Sequence, residues 1–229
     1  MRAVLKIGGS LLYNDEGKLL VERVSDYATA IKSLVKNGHS LVVVVGGGIP
    51  ARVFISAARE LGANEAQCDW LGIKLARINA ELLCAALGDI AYPNIVDSLD
   101  ELEVAVKVGK VVLMGGLTPG QSTNAVAAVA TEITKSEMLF NATNVDGVYD
   151  HDPDEPGATR FETIEITQLK EILSGGGSRA GEHRLFDSVA MRVVERSKIS
   201  TVIFDGSIPE NINRAFRGEK IGTRIIHNE

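Results

Sequence analysis

The sequence of 229 residues predicts an α/β protein with a mainly parallel central sheet sandwiched by helices, a three-layer arrangement in two lobes. Three observations carry that expectation. Short all-apolar runs rich in β-branched residues recur, Leu41–Val45 being the purest, and such runs mark strands covered on both faces. Long stretches with apolar residues at helical spacing separate them. Several runs also end in glycine clusters, at the sheet edge where an open parallel sheet binds its ligands.

In chain order, Ala3–Ile7 reads as the first strand, stopped by Gly8-Gly9-Ser10. Leu20, Val24, Tyr27, Ile31 and Leu34 predict a helix over Lys18–Lys36, closed by Asn37-Gly38 as a C-terminal cap. The Leu41–Val45 strand enters Gly46-Gly47-Gly48, and a helix follows over Pro50–Leu61, with proline in a favourable first-turn position. Trp70–Leu87 is a second long helical pattern, Lys110–Met114 a buried strand ending in Gly115-Gly116, Ser122–Thr134 a small-residue helix and Met138–Ala142 another strand. Beyond Asp150, a polar loop at His151–Arg160 leads to a helix over Thr167–Leu173 and a glycine-rich segment, Ser174–Gly181, expected to be mobile. A helix over Leu185–Ser197, a strand over Thr201–Phe204, a helix over Pro209–Arg217 and a strand over Thr223–Ile226 complete the chain. Strands alternating with helices imply parallel pairing.

Composition narrows the function classes. Hydrophobic residues at 45% and charged residues at 24% are ordinary for a globular protein. The net charge of −6 argues against a nucleic-acid surface, so an anionic ligand must be held by local positive features. No apolar run is long enough to cross a bilayer, and Met1 leads straight into a strand with no signal-peptide succession. Cys68 and Cys84 read as reduced thiols. A cytoplasmic protein without membrane or nucleic-acid partners is the expectation.

Three glycine loops at one sheet edge suit several phosphates, because glycine lets a ligand approach the backbone and its N–H groups gather round an anion. Helices beginning near Pro50 and Ser122 add N-terminal dipoles. Lys6 reads either as a strand lysine reaching solvent or as a cation for a transferring phosphoryl group. Arg52, in a first helical turn where a cation is disfavoured, reads either as a surface arginine or as a phosphate ligand. The G-x-x-x-x-G-K-[ST], H-R-D and D-F-G motifs are absent, which excludes P-loop and protein kinases. His39, His151, His183 and His227 have no metal-ligand spacing.

Lys6-Ile7-Gly8-Gly9-Ser10, Gly46 through Arg52 and Thr143-Asn144-Val145-Asp146-Gly147-Val148-Tyr149 resemble the amino-acid-kinase superfamily. Cys68 through Ile73, Gly115 through Thr123 and Ala142 through Pro153 are similar to its archaeal UMP kinase branch, a resemblance covering nearly the whole chain. It implies one domain over residues 1–229, with an acceptor lobe at 1–135 and an ATP lobe at 136–229. It implies ATP-dependent phosphorylation of UMP to UDP in pyrimidine nucleotide synthesis. Ile7, Gly8, Gly9 and Ser10 would wrap the ATP phosphates, and Thr143, Asn144, Tyr149 and Asp152 would hold the adenosine side. Gly47 would meet the UMP phosphate and Gly48 the transferred group, with Arg52 reaching toward both and Lys6 on the ATP phosphates, Lys6 and Arg52 also being catalytic.

Asp69 would bind the UMP ribose, although it also reads as a helix cap before Trp70. Leu117, Thr118, Pro119, Gly120, Gln121, Ser122 and Thr123 would line the UMP pocket, and Asp152-Pro153 doubles as an ordinary turn signal. Asp187 would orient Lys6 or Arg192 in the catalytic set. Mg²⁺ would be held by phosphate oxygens and water, with no protein metal cage. The family's habit implies a homohexamer.

Two positions depart from the pattern. Relatives often carry T-T-D where this chain has Ser122-Thr123-Asn124, and many archaeal ones carry lysine where Arg192 stands. Competing readings are a sister kinase with another acceptor and a non-catalytic nucleotide-binding or storage protein. Isopentenyl phosphate kinases place a histidine where Ile49, Pro50 and Ala51 stand. Aspartokinases and glutamate kinases usually carry further regulatory domains, and acetylglutamate kinases lack the P-G-Q-S-T pocket.

Overall fold

The computed structural model describes residues 1–151, 155–174 and 186–227. The apolar runs build the middle of the sheet. β1 (Arg2–Ile7) lies parallel between β2 (Ser40–Val45) and β5 (Met138–Thr143), and β2 pairs in parallel with β4 (Val111–Met114). β3 (Ala91–Val96) forms one edge; β7 (Thr201–Asp205), β8 (Thr223–Ile226) and β6 (Thr163–Glu165) extend the other, in the order β3-β4-β2-β1-β5-β7-β8-β6. β7 and β8 run antiparallel, whereas the other described pairs are parallel.

Side-chain alternation along each strand feeds two cores. Leu5, Val43 and Phe140 pack against α1 (Val21–Lys36), α3 (Glu65–Leu87) and α8 (Glu210–Phe216), burying Tyr27, Ile31, Leu83 and Phe216. Val4, Val42, Val44 and Val112 face the opposite layer of α4 (Leu99–Ala105), α5 (Thr123–Ile133), α6 (Ile166–Ser174) and α7 (Ser188–Arg196). The remaining helix, α2 (Gly48–Glu60), rests on α3. Cys68 is buried and Cys84 half-buried, and neither is in a disulfide. Among the described residues no helix is long and apolar enough to cross a membrane.

Several boundaries differ from the sequence expectation for local reasons. α1 begins at Val21 instead of Lys18, because the preceding residues fold back onto the first loop. There the Leu20 N–H donates to the Leu12 carbonyl at 2.8 Å, and the Lys18 N–H donates to Asn14 Oδ1 at 2.8 Å. α3 starts at Glu65 instead of Trp70, because Asn64 and Gln67 exchange side-chain and backbone hydrogen bonds at 2.9 Å, a capping box that fixes the helix start. Asp69 therefore lies inside the helix, and its reading as a cap is corrected. α7 starts at Ser188, behind an Asp187 cap, instead of at Leu185.

β3, α4 and β6 had no sequence expectation. β3 carries Pro93, which an edge strand tolerates because one side needs no ladder partner. α4 has 7 residues and β6 has 3, too few for a periodic signal. Beyond Ser174, the glycine-rich segment expected to be mobile lies outside the described residues.

Candidate active site

β4, β2, β1 and β5 are neighbours, and their carboxyl ends deliver Gly115-Gly116, Gly46-Gly47-Gly48, Gly8-Gly9-Ser10 and Thr143-Asn144 to one edge. Together with residues of α2, α3 and the start of α5, these segments line a cleft of about 430 Å³. The parallel register puts the ends level: Ile7 sits opposite both Val45 and Ala142.

The first two loops interlock. The Gly46 N–H donates to the Ile7 carbonyl at 3.0 Å and the Gly8 N–H to the Ala142 carbonyl at 2.9 Å. A Cβ on Gly9 would stand 2.3 Å from the Gly46 carbonyl oxygen and from the Gly48 nitrogen. Gly48 has φ +70°, and a Cβ there would stand 2.5 Å from the Gly9 oxygen. No other residue type fits either position without moving backbone.

α2 starts inside the glycine triplet. Gly47 is its N-cap and supplies no side-chain cap, so the first-turn amides open on the cleft beside Arg52, a ready anion site. At α5 the Ser122 hydroxyl oxygen accepts from the Asn124 and Ala125 N–H groups at 3.1 Å and donates to Asp187 Oδ2. The other Asp187 oxygen accepts from Val189 and Ala190 N–H at 2.8 and 3.0 Å. One carboxylate thus ties together the starts of two helices.

Lys6 is 8% exposed. Burial lowers its ammonium from 10.5 to about 8, because a low-dielectric site penalises the charged form. Neither Lys6 nor Arg52 enters an ion pair among the described residues. A buried cation without a carboxylate costs stability, and such a group in a cleft marks a place where an anion arrives.

α3 holds the third loop. Asp69 Oδ2 accepts the Gly120 N–H at 2.7 Å. Arg77 Nε donates to the Gly116 carbonyl at 3.0 Å while its guanidinium pairs with Asp97 at 3.2 Å. The loop over residues 116–123 is therefore held at Gly116 and at Gly120 by one helix.

Of the predicted site residues, Lys6, Gly8, Gly9, Ser10, Gly47, Gly48, Arg52, Asp69, Gln121, Ser122, Thr123, Thr143 and Asn144 line this cleft. Ile7 and Leu117 are buried. Thr118, Pro119 and Gly120 stand outside the lining, Gly120 reaching it through Asp69. Tyr149 lies outside the lining too, its hydroxyl donating to the Asp146 carboxylate at 3.1 Å. Asp187 is behind Ser122. Arg192 is exposed and away from the cleft lining; its Nε donates to the Ser188 carbonyl at 3.2 Å within its own helix. Asp152 lies outside the described residues. Asn124 lines the cleft.

Sequence reasoning missed the α3 residues Gly72, Ile73 and Ala76, which line the cleft, and Arg77 and Asn79, which grip its loops. The available signal was Asn79, a polar residue on the apolar face formed by Ala76, Ala80 and Leu83, since a buried polar group is the informative exception in a core pattern.

The sequence model of the amino acid kinase family matches residues 1–205. A uridylate kinase of Methanothermobacter thermautotrophicus is 45% identical over 228 residues, 99% of each chain. One of Natronomonas pharaonis is 41% identical over 230 residues, the whole of both chains. The crystal structure of uridylate kinase from Archaeoglobus fulgidus superposes with a TM-score of 0.87 at 41% identity, covering 98% of this chain and 100% of that one.

Two stability predictions follow from this geometry. Gly9→Ala forces the interlocked loops apart and lowers the unfolding free energy by about 1–3 kcal/mol, read from denaturant midpoints; an unchanged midpoint contradicts the close approach. For Lys6 the folded value lies below the unfolded one, so the ammonium penalises the fold below pH about 8 and the penalty fades as pH rises toward 10.5. Lys6→Met therefore stabilises the protein at pH 7 by up to about 3 kcal/mol, and its advantage over the parent shrinks in alkaline buffer. Equal stabilities at pH 7 contradict this.

Proposed function

The chain belongs to the amino acid kinase family, and from that membership we infer that it transfers the γ-phosphoryl group of ATP to the phosphate of UMP, forming UDP. One observation carries the reading: two anion-binding glycine loops abut backbone to backbone, with the Lys6 ammonium, in no ion pair among the described residues, beside them. Loops in contact present two phosphates to each other, as transfer between two nucleotides requires. The full-length relatives named for this reaction identify the acceptor.

The first loop, Gly8, Gly9 and Ser10, takes the ATP phosphates. The amides at the start of α2 take the acceptor, Gly47 at the UMP phosphate and Gly48 at the transferred group. Arg52 reaches both. Asp69 spends one oxygen on Gly120 and offers the other to the ribose hydroxyls, while Gln121, Ser122 and Thr123 meet the uracil side. Thr143 and Asn144, with Tyr149 and Asp152 beyond, serve adenosine. The acceptor lobe is residues 1–135 and the ATP lobe 136–229.

The UMP phosphate is already an anion near neutral pH and is its own nucleophile, so no general base is required. Catalysis is in-line alignment plus screening of the developing charge by Lys6, Arg52 and backbone amides. The cleft's donors are hydroxyls, amides and N–H groups, with Asp69 committed in part to Gly120. That set fits a Mg²⁺ ion carried by the ATP phosphates and water, which supplies further charge neutralisation when bound. Asp187 acts through Ser122, fixing the start of α5.

Trp70, Ile78 and Leu82 are exposed along α3 at 43%, 48% and 37%, an apolar stripe that supports self-association into the hexamer. A cytoplasmic enzyme of pyrimidine nucleotide synthesis completes this reading.

A coupled ADP-release assay with UMP, CMP, AMP and isopentenyl phosphate tests it. UMP is expected to give the highest kcat/KM; ADP release with another acceptor and none with UMP overturns the assignment. The same assay reads Lys6. Because kcat/KM reports the free enzyme, it should fall as pH rises through about 8, where the ammonium is lost. Lys6→Arg, which stays charged, should abolish that limb, and a parent profile level well above pH 8 contradicts the role.

A further inference from the structure

We propose that Asn79 is the positioning residue of the second glycine loop and that Tyr13 holds it in place. The proposal deepens the kinase reading above and rests on it for the identity of the acceptor.

Asn79 lies in the middle of α3 and is 1% exposed. Its Nδ2 donates to the Gly46 carbonyl at 2.8 Å and to the Gly47 carbonyl at 3.2 Å. Its Oδ1 accepts from the Tyr13 hydroxyl at 2.6 Å. The amide's orientation is dictated by chemistry: both glycine carbonyls only accept, so the nitrogen must face them and the oxygen must face a donor.

These two bonds aim the loop. A trans peptide is planar, with its N–H opposite its C=O, and the described chain contains no cis peptide. Pinning the Gly46 carbonyl to α3 turns the Gly47 N–H the other way; pinning the Gly47 carbonyl does the same for the Gly48 N–H. Both residues line the cleft, and among the described residues neither N–H has a hydrogen-bond partner. These are the amides assigned above to the acceptor phosphate and the transferred group. Asn79 therefore touches neither nucleotide and decides where both amides point.

Tyr13 adds the second half. It follows directly on the single turn Gly9–Leu12 that ends the first loop. The path Tyr13–Asn79–Gly46 thus joins the ATP loop to the acceptor loop across α3, a strut that sets their relative position. Loss of the hydroxyl leaves the buried Oδ1 without its donor and frees the amide to leave the carbonyls.

The test uses Asn79→Asp, Asn79→Ala, Tyr13→Phe and the double variant Tyr13→Phe/Asn79→Asp in the full chain. Asn79→Asp keeps the shape and removes the donors. It is expected to lower kcat on the order of 10- to 100-fold and raise KM for UMP about tenfold, with KM for ATP held within about twofold of the parent. Tyr13→Phe should move the same parameters in the same direction by about threefold. The double variant should be no worse than Asn79→Asp, because Tyr13 acts through Asn79. A general loss of stability would instead move both KM values together or lower only the active fraction.

Folded Asn79 variants that turn over like the parent overturn the proposal, and so does a Tyr13 effect that adds in full to the Asn79 one. Where Asn79→Asp does not fold, the kinetic split of Tyr13→Phe alone decides. The crystal structure of Tyr13→Phe or Asn79→Asp needs no substrate: the Gly46 and Gly47 carbonyls should turn from α3, and unchanged peptide planes refute the pin. A parent enzyme that makes no UDP would sink the acceptor assignment, while those planes still decide the strut.

Discussion

Contact between the backbones of two glycine loops is the constraint on which the rest of the site depends. Gly9 passes Gly46 and Gly48 with no room for a single carbon atom on either side. The contact exists because β1 and β2 are parallel neighbours whose ends lie level, about 4.8 Å apart in the pairing direction. The level strand ends bring the two glycine loops into backbone contact at one edge of the sheet. A side chain at either loop would wedge them open and turn one site into two.

Lys6 lines the cleft beside these loops and is buried there. The ammonium sits on the same face of β1 as Val4, over α5, where its charge is costly to the fold. A strand lysine serving only solubility would lie at the surface, where its charge is hydrated. Here the fold keeps a destabilised cation in the cleft, the kind of local cost found where activity and stability compete.

α3 acts as the template for two of the cleft's glycine loops. Asp69, Arg77 and Asn79 each hold a backbone group of a cleft loop, and the Asn64–Gln67 capping box fixes the helix on which they ride. That cap explains why the helix runs five residues further toward the N-terminus than its apolar pattern announces. The segment Glu65–Asp69 carries little hydrophobic periodicity, so only the cap marks its start. Central strands were legible because burial on both faces leaves an unbroken apolar run; β3 was not, because an edge strand with Pro93 and Asn94 looks like loop.

The glycine loops, Lys6 and Arg52 could be read directly, since those residues are conspicuous against an apolar background. Asn79 and Arg77 could not, because they serve the site through main-chain carbonyls that no sequence pattern displays. Arg192, placed in the catalytic set by similarity to a motif, stands outside the cleft lining, its Nε donating to its own helix.

The most direct measurement of the central claim is a crystal structure of the full chain with UMP and a non-hydrolysable ATP analogue. The account predicts the UMP phosphate on the Gly47 and Gly48 amides, the ATP phosphates on Gly9 and Ser10, and the Lys6 ammonium between them in hydrogen-bond contact with the bridging phosphoryl group. Nucleotides on opposite sides of the sheet, or phosphates separated by protein at the glycine loops, would contradict it.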